Sequence, residues 1–199
     1  ALPELEQIDG IERQFAVNHL GHFILINQLQ ETVLAADAGR FVILSSLAHN
    51  QAPEGGIQFD NLSGENGEYS GWAAYGQSKL ANALCARELA RRLEGTSATV
   101  NSVHPGVIAT NLGRHLPWYM RWGSAMFGWA FMKEIPAGAA TQTYVATNPE
   151  LAGVSGIYFA DCNPAEASSY ATDDALASKL WAVSEDLTRE HLLVPTQET

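Results

Sequence analysis

The segment Phe41-Val42-Ile43-Leu44 is the feature that most constrains the fold of this chain. It is an uninterrupted apolar run of strand length, and two serines follow it directly. Such a run is typical of a parallel strand covered on both faces, because a strand with one wet face alternates apolar and polar residues. Parallel strands need long crossover connections, which are usually helices. The rest of the chain is therefore expected to alternate helices and strands.

Helix and strand patterns do alternate along the remaining sequence. Apolar residues near helical spacing from Ile11 to Leu29 predict a long first helix. The other predicted elements are a helix over 72–93, a strand over 98–103, a helix from Pro136 to Asn148, a strand over 156–159 and a last helix opened by 172–174. This order predicts an α/β fold with a parallel sheet and right-handed crossovers. We interpret residues 1–199 as one domain.

Three parallel strands are few for a sheet of this class. The first of them has one edge without a predicted partner, and its apolar run makes that edge prone to aggregation. We expect either an N-terminal portion or another chain to cover it.

Composition narrows the functional classes. The formal charge of −11 argues against a nucleic-acid partner, and no apolar run is long enough to cross a bilayer. Cys85 and Cys162 do not suggest a disulfide framework, which favours a reducing, cytoplasmic setting. His19 and His22 share a helix face without nearby carboxylate or thiolate ligands, so helix packing is favoured over a metal site.

Several polar residues fall where an α/β sheet binds ligands. Tyr75 and Lys79 are four apart on a predicted helix, so both side chains leave the same face. Ser46 follows the first predicted strand, and Pro105-Gly106 follows the second. The carboxyl ends of parallel strands lie at the same edge of a sheet, which is where open α/β sheets bind ligands. Asn18 lies in an apolar helix, where its type is disfavoured. Taken alone, each has an ordinary alternative: a half-buried aromatic, a solvated charge or a local capping bond.

Together, four ordered motifs resemble those of the short-chain dehydrogenase/reductase family, in its retinol-dehydrogenase-like branch. The motifs are residues 14–23 (QFAVNHLGHF), 42–46 (VILSS), 74–82 (AYGQSKLAN) and 103–110 (VHPGVIAT). The resemblance implies a Rossmann-like doubly wound parallel sheet, of which this chain holds the C-terminal portion with about three strands and their helices. It also implies an NAD(P)-dependent oxidoreductase that interconverts alcohols and carbonyl compounds.

Site roles follow from the same resemblance, position by position. Tyr75 is the expected general acid/base, Lys79 its activator and ribose ligand, and Ser46 the hydrogen-bond partner of the substrate carbonyl. Asn18 is expected to anchor a water in the proton relay. The expected cofactor-binding residues are Tyr75, Lys79, Pro105, Gly106, Ile108 and Thr110, the last two contacting the nicotinamide carboxamide.

Elementary electrostatics agrees with the pairing of Tyr75 and Lys79. A phenol titrates near pH 10, so lowering its pKa by about three units requires roughly 4 kcal/mol. An ammonium about 4 Å away supplies a similar amount at an effective dielectric near 20. We therefore expect Lys79 to lower the pKa of Tyr75.

The chain contains no Gly-x-x-x-Gly-x-Gly turn, with which family members hold the cofactor pyrophosphate. By comparison with the family, we expect about a hundred residues to precede those of this chain in a complete family member. We expect this chain alone to bind NADP or NAD poorly, with NADP slightly preferred by resemblance.

An apolar carbonyl or alcohol substrate, such as a retinoid or steroid, is expected from the aromatic-rich segment 117–132, which lies over the substrate in the family. A lid completing the core, or peripheral contact with a membrane, are alternatives for this segment. The apolar helix bearing Tyr75 suggests a homodimer, and a complementing N-terminal half is the other expected partner. Two other functions stay open: an inactive fragment serving as an interaction module, and a sugar-nucleotide epimerase.

Overall fold

The computed structural model describes residues 1–106 and 135–192. Its central sheet has the strand order β3-β4-β5-β6, where β3 is Arg40–Leu44, β4 is Thr99–His104, β5 is Tyr158–Ala160 and β6 is Asn163–Pro164. The pairs β3–β4 and β4–β5 are parallel, and β5–β6 is antiparallel. The predicted parallel α/β sheet is confirmed. The prediction of about three strands agrees with the three parallel strands of the described residues, to which a short antiparallel fourth is added.

The helices flank this sheet. They are α1 (Arg13–Phe15), α2 (Gly21–Leu34), α3 (Gly71–Arg92), α4 (Ile135–Thr147) and α5 (Asp174–Thr188). Asp173 caps α5 through a bond from Leu176 N–H, as the acidic start of that helix predicts. The carbonyls of Val145 in α4 and of Asn148 just after it each accept a bond from the Arg40 guanidinium at 2.9 Å, which places a cation at the end of that helix.

The prediction of one long first helix from Ile11 to Leu29 is only partly correct. Ile11 lies in a two-residue strand, β2 (Ile11–Glu12), which pairs with β1 (Gln7–Ile8) in a hairpin. Between α1 and α2 the helix widens into a π-helical turn over Ala16–Leu20. The sequence signal for the hairpin is Asp9-Gly10, whose φ angles of 50° and 77° suit a two-residue turn.

Apolar side chains cover both faces of the sheet. On one face, α2, α3 and α5 enclose a cluster that includes Phe23, Ile43, Leu89, Val100 and Trp181. On the other face, Val103 and Phe159 pack with Val145 of α4. This burial confirms a covered strand for β4, whereas β3 is buried at Phe41 and Ile43 on one face and remains partly exposed at Val42 and Leu44 on the other.

Helix α3 is buried almost throughout its middle, from Gly76 to Ala86. Its apolar residues pack within the chain against α5, the sheet and the 3-10 helix Leu47–Gln51. The expectation that this helix leaves an apolar face for a second subunit is therefore wrong, because the chain itself covers that face. Helix α3 gives no argument for a homodimer.

Strand β3 pairs with β4 alone within the described residues. Leu44 at its end is 42% exposed, and Leu47 just beyond it is 51% exposed. The predicted unpaired edge is confirmed for the described part of the chain.

Candidate active site

The proposed site residues come from three elements that meet at the carboxyl edge of the sheet. Ser46 follows β3, Tyr75 and Lys79 lie in the second and third turns of α3, and Asn18 lies in the π-helical turn. Pro105 and Gly106 follow β4, where Gly106 takes a φ of 90°, in the region that favours glycine. Ile108 and Thr110 lie outside the described residues, as does the aromatic-rich segment 117–132.

The hydroxyl of Ser46 makes two contacts that define its orientation. Its oxygen accepts a bond from Ala48 N–H at 3.2 Å, as the cap of the 3-10 helix Leu47–Gln51. The same hydroxyl also interacts with the phenol of Tyr75 and acts to lower the pKa of that phenol. Because a hydroxyl has one hydrogen and two lone pairs, the bond from Ala48 leaves the Ser46 hydrogen available for the phenol oxygen or a ligand in its place.

Burial raises the pKa of Tyr75 above its ordinary value, and the bond from Ser46 acts in the opposite direction. The expected lowering by Lys79 is wrong for the chain as described. The ammonium lies 5.7 Å from the centre of the phenol ring. The desolvation of the phenol therefore dominates its titration.

Lys79 is itself 7% exposed, and burial lowers its pKa. Its Nζ donates to the Leu44 carbonyl over a long 3.4 Å. Asn82 donates to the same oxygen at 3.0 Å, and Ser45 Oγ donates to the Lys79 carbonyl at 2.8 Å. These bonds clamp the end of β3 to α3, so Ser46 and Tyr75 are held on facing elements.

Asn18 reaches the same helix from the other side. Its amide donates to Ser78 Oγ at 3.0 Å, and that hydroxyl donates to the carbonyl of Tyr75 at 2.8 Å. The π-helical turn places Asn18 here, and single π turns occur often at functional sites. The structure thus brings together Asn18, Ser46, Tyr75 and Lys79.

Sequence reasoning missed two residues that contact this cluster, Asn82 and His49. Asn82 lies one turn beyond Lys79, a spacing that could have suggested its contact with the same strand end. His49 is fully buried, and its Nδ1 lies 2.7 Å from the carbonyl oxygen of Ser46. Nothing in the local sequence distinguishes it from a surface histidine.

His19, expected to serve in helix packing, lies in the core between Phe15 and Phe23. Burial lowers its pKa to about 3. The described residues contain no cluster of three or more metal-ligating side chains. Cys85 and Cys162 are both free.

The family model described as enoyl-(acyl carrier protein) reductase matches residues 4–146, which include all four sequence motifs. The chain belongs to the short-chain dehydrogenase/reductase family. Family membership agrees with the clustered side chains of Asn18, Ser46, Tyr75 and Lys79.

Two curated relatives show the same membership. Retinol dehydrogenase 14 of Homo sapiens is 46% identical over 185 residues, covering 92% of this chain and 54% of its own length. The chloroplastic short-chain dehydrogenase TIC 32 B of Brassica napus is 49% identical, covering 88% of this chain and 57% of its own. The chain thus spans about half the length of the curated relatives it matches.

Solved structures share the fold. An uncharacterised protein from Mycobacterium paratuberculosis superposes with a TM-score of 0.68 at 31% identity, over 94% of this chain and 63% of that one. The angucycline C-6 ketoreductase LanV, solved with bound NADP, superposes with a TM-score of 0.53 at 22% identity, over 74% of this chain and 50% of that one. Among the described residues, no helix combines the length and apolarity needed to span a membrane.

Proposed function

We propose that this chain supplies the catalytic portion of an NAD(P)-dependent oxidoreductase that interconverts a carbonyl compound and an alcohol. The observation that carries the proposal is that Ser46, at the end of β3, faces helix α3, on which Tyr75 and Lys79 lie one turn apart with the ammonium 5.7 Å from the centre of the phenol ring. This group of residues lies at the carboxyl edge of a parallel sheet, where this fold class binds ligands.

The residues divide the work of carbonyl reduction among them. Tyr75 donates a proton to the carbonyl oxygen, and Ser46 donates a hydrogen bond that stabilises the negative charge developing there. Asn18 donates to Ser78 Oγ, which in turn donates to the backbone carbonyl of Tyr75. We propose that Asn18 also holds a water molecule of the proton relay. In the oxidation direction the same groups act in reverse.

Lys79 fits a nicotinamide nucleotide. An ammonium has three donors, and this buried one makes its described hydrogen bond at 3.4 Å, so its donor capacity suits the ribose hydroxyls. Tyr75 lies one turn before Lys79 on the same helix, and the backbone of Pro105 and Gly106 lies at the carboxyl end of β4, at the same edge of the sheet. The nicotinamide would supply the hydride. NADP is our preferred form, by family resemblance.

An apolar substrate, such as a retinoid or steroid, is proposed because relatives at 42–49% identity include several named retinol dehydrogenases. Cytoplasmic location stays a prediction. So does peripheral membrane contact.

A second candidate is an interaction module without catalysis. The observation that favours it is the outer edge of β3, which has no pairing strand among residues 1–106 and 135–192, because an exposed strand edge can pair with an extended segment of another chain. The exposed side chains of Leu44 and Leu47 lie at the same place.

One experiment separates the two functions. The chain is mixed with NADPH and a panel of apolar aldehydes, with and without the N-terminal half of retinol dehydrogenase 14, and NADPH oxidation is followed. Turnover that needs the added half and is lost in Tyr75→Phe supports the oxidoreductase. Binding of that half without turnover supports the interaction module.

A further inference from the structure

His49 has two hydrogen bonds that the proposed reaction leaves unexplained. The side chain is 0% exposed. Its Nδ1 lies 2.7 Å from the Ser46 carbonyl oxygen, and its Nε2 lies 3.0 Å from the backbone nitrogen of Ser168. The imidazole therefore bridges the turn that carries Ser46 to a segment 119 residues further along the chain.

The two partners define the state of the ring. A carbonyl oxygen only accepts, so Nδ1 carries the hydrogen, and the Ser168 N–H only donates, so Nε2 is the acceptor. The ring also packs edge-on against Tyr158, with centroids 5.0 Å apart. His49 is thus a neutral, oriented bridge.

This bridge differs from the bonds that Ser46 makes within its own turn. A second link from the turn to the remainder of the chain is the bond from Leu47 N–H to His104 Nδ1 on β4, at 3.3 Å. The Ser46 carbonyl also accepts from His49 N–H at 3.0 Å, and Ser46 Oγ accepts from Ala48 N–H. Both of those bonds lie inside the turn and would move with it. The imidazole is anchored at Ser168, so it resists movement of Ser46 relative to the remainder of the chain.

We propose that His49 is a positioning residue that holds Ser46 opposite the phenol of Tyr75. The proposal rests on the function proposed above, in which Ser46 and Tyr75 share the substrate oxygen. It predicts that loss of the bond from Nδ1 frees the turn, weakens the contact between Ser46 and Tyr75, and changes the titration of the phenol.

Two substitutions separate the two nitrogens of the ring. In His49→Asn the amide nitrogen occupies nearly the position of Nδ1 and can still donate to Ser46. In His49→Gln the amide oxygen occupies nearly the position of Nε2 and can still accept from Ser168. Both remove the aromatic contact with Tyr158, so a purely structural role predicts similar behaviour of the two variants.

The readout is the pKa of Tyr75, measured by NMR on the whole 199-residue chain with ring-labelled tyrosine and assigned with Tyr75→Phe. Because the bond from Ser46 favours the phenolate, we expect His49→Gln to raise this pKa by roughly half to one unit, and Ser46→Ala to do the same. His49→Asn should remain at the wild-type value.

Asn101→Ala is the matched control. Asn101 is also buried, donates to the carbonyl of Val154 at 2.7 Å and accepts from Ile157 N–H at 3.0 Å, away from the site. It should lower stability without moving the Tyr75 titration. An unchanged titration in His49→Gln, or equal shifts in the Gln and Asn variants, would overturn the proposal. The measurement needs no turnover, so a failed complementation assay would count against the proposed function and leave this result standing.

Discussion

The ammonium of Lys79 lies over the ring of Tyr75, with Nζ 5.7 Å from the ring centroid. A cation over an aromatic face is attracted to the ring itself. In this position it does not offset the cost of burying a phenolate, so the pKa of Tyr75 is raised. The pair therefore differs from the sequence expectation, in which the lysine lowers the pKa of the tyrosine.

The first prediction concerns this titration. In the chain without cofactor, Tyr75 should ionise above its ordinary value of about 10, because burial outweighs the bond from Ser46. Ring-labelled tyrosine NMR over alkaline pH measures it, with Tyr75→Phe as the assignment. Ionisation below that value would contradict the burial argument.

The second prediction concerns catalysis. In the complemented assay, Tyr75→Phe should reduce turnover by about 10²- to 10⁴-fold, the usual contribution of a general acid. Tyr170→Phe is the control, because that hydroxyl accepts from Gly55 N–H on the surface and should leave turnover nearly unchanged. Comparable losses in both variants would argue against the role of Tyr75.

The third prediction concerns stability against pH. Burial lowers the pKa of His19 to about 3, and burial also lowers that of His49. Below about pH 6.5 these histidines are protonated in the unfolded chain but stay neutral in the folded chain. As the pH decreases further, the free energy of unfolding should therefore decrease by up to about 1.4 kcal/mol per pH unit for each histidine. Urea unfolding at neutral pH and near pH 5 measures this fall. His19→Gln, which can keep a bond to Ser184, should reduce the slope; an unchanged slope would show that His19 does not contribute.

The fourth prediction concerns a close approach beside the site. A Cβ on Gly76 would lie 2.7 Å from the Ala48 carbonyl oxygen and 2.8 Å from Ala52 N, both backbone atoms of the turn after Ser46. Gly76→Ala should therefore cost about 1–3 kcal/mol by overpacking. Gly21→Ala has 3.7 Å to its nearest neighbour and should stabilise by up to about 1 kcal/mol. Thermal unfolding compares them, and equal effects would contradict the close packing of α3 on this turn.

The fifth prediction concerns the cofactor. Without a glycine-rich phosphate turn in its sequence, the 199-residue chain should bind NADPH weakly or not at all. Isothermal calorimetry tests this directly. A micromolar dissociation constant would show that the phosphates are held by other residues.

Strand β3 could be predicted from its apolar run, and β4 from the turn residues Pro105-Gly106 that follow it. The β5–β6 hairpin could not. Its turn is Asp161-Cys162, with φ angles of 51° and 60°, and it lacks the glycine that usually marks such a turn. Cys162 gave no local sign of that backbone conformation.

Some features of the candidate site could likewise be predicted from the sequence, and others could not. Ser46, Tyr75 and Lys79 belong to short motifs with fixed spacing, so the sequence could predict that they lie near one another at the end of β3, while their roles stay a prediction. The bridge at His49 depends on Ser168, far along the chain, and no local pattern encodes such a contact. The raised pKa of Tyr75 also required the structure, since it depends on burial and on the direction that Lys79 takes.

The π-helical turn at Ala16–Leu20 makes the position of Asn18 depend on the number of residues as well as on their types. Successive residues of an α-helix are separated by about 100° around its axis. The π turn takes up one extra residue, so the helical segments on either side keep their relative orientation. Deleting one residue here, such as the exposed Val17, should restore an ordinary α-helix with those segments nearly in place, but remove the widened turn that brings Asn18 to Ser78.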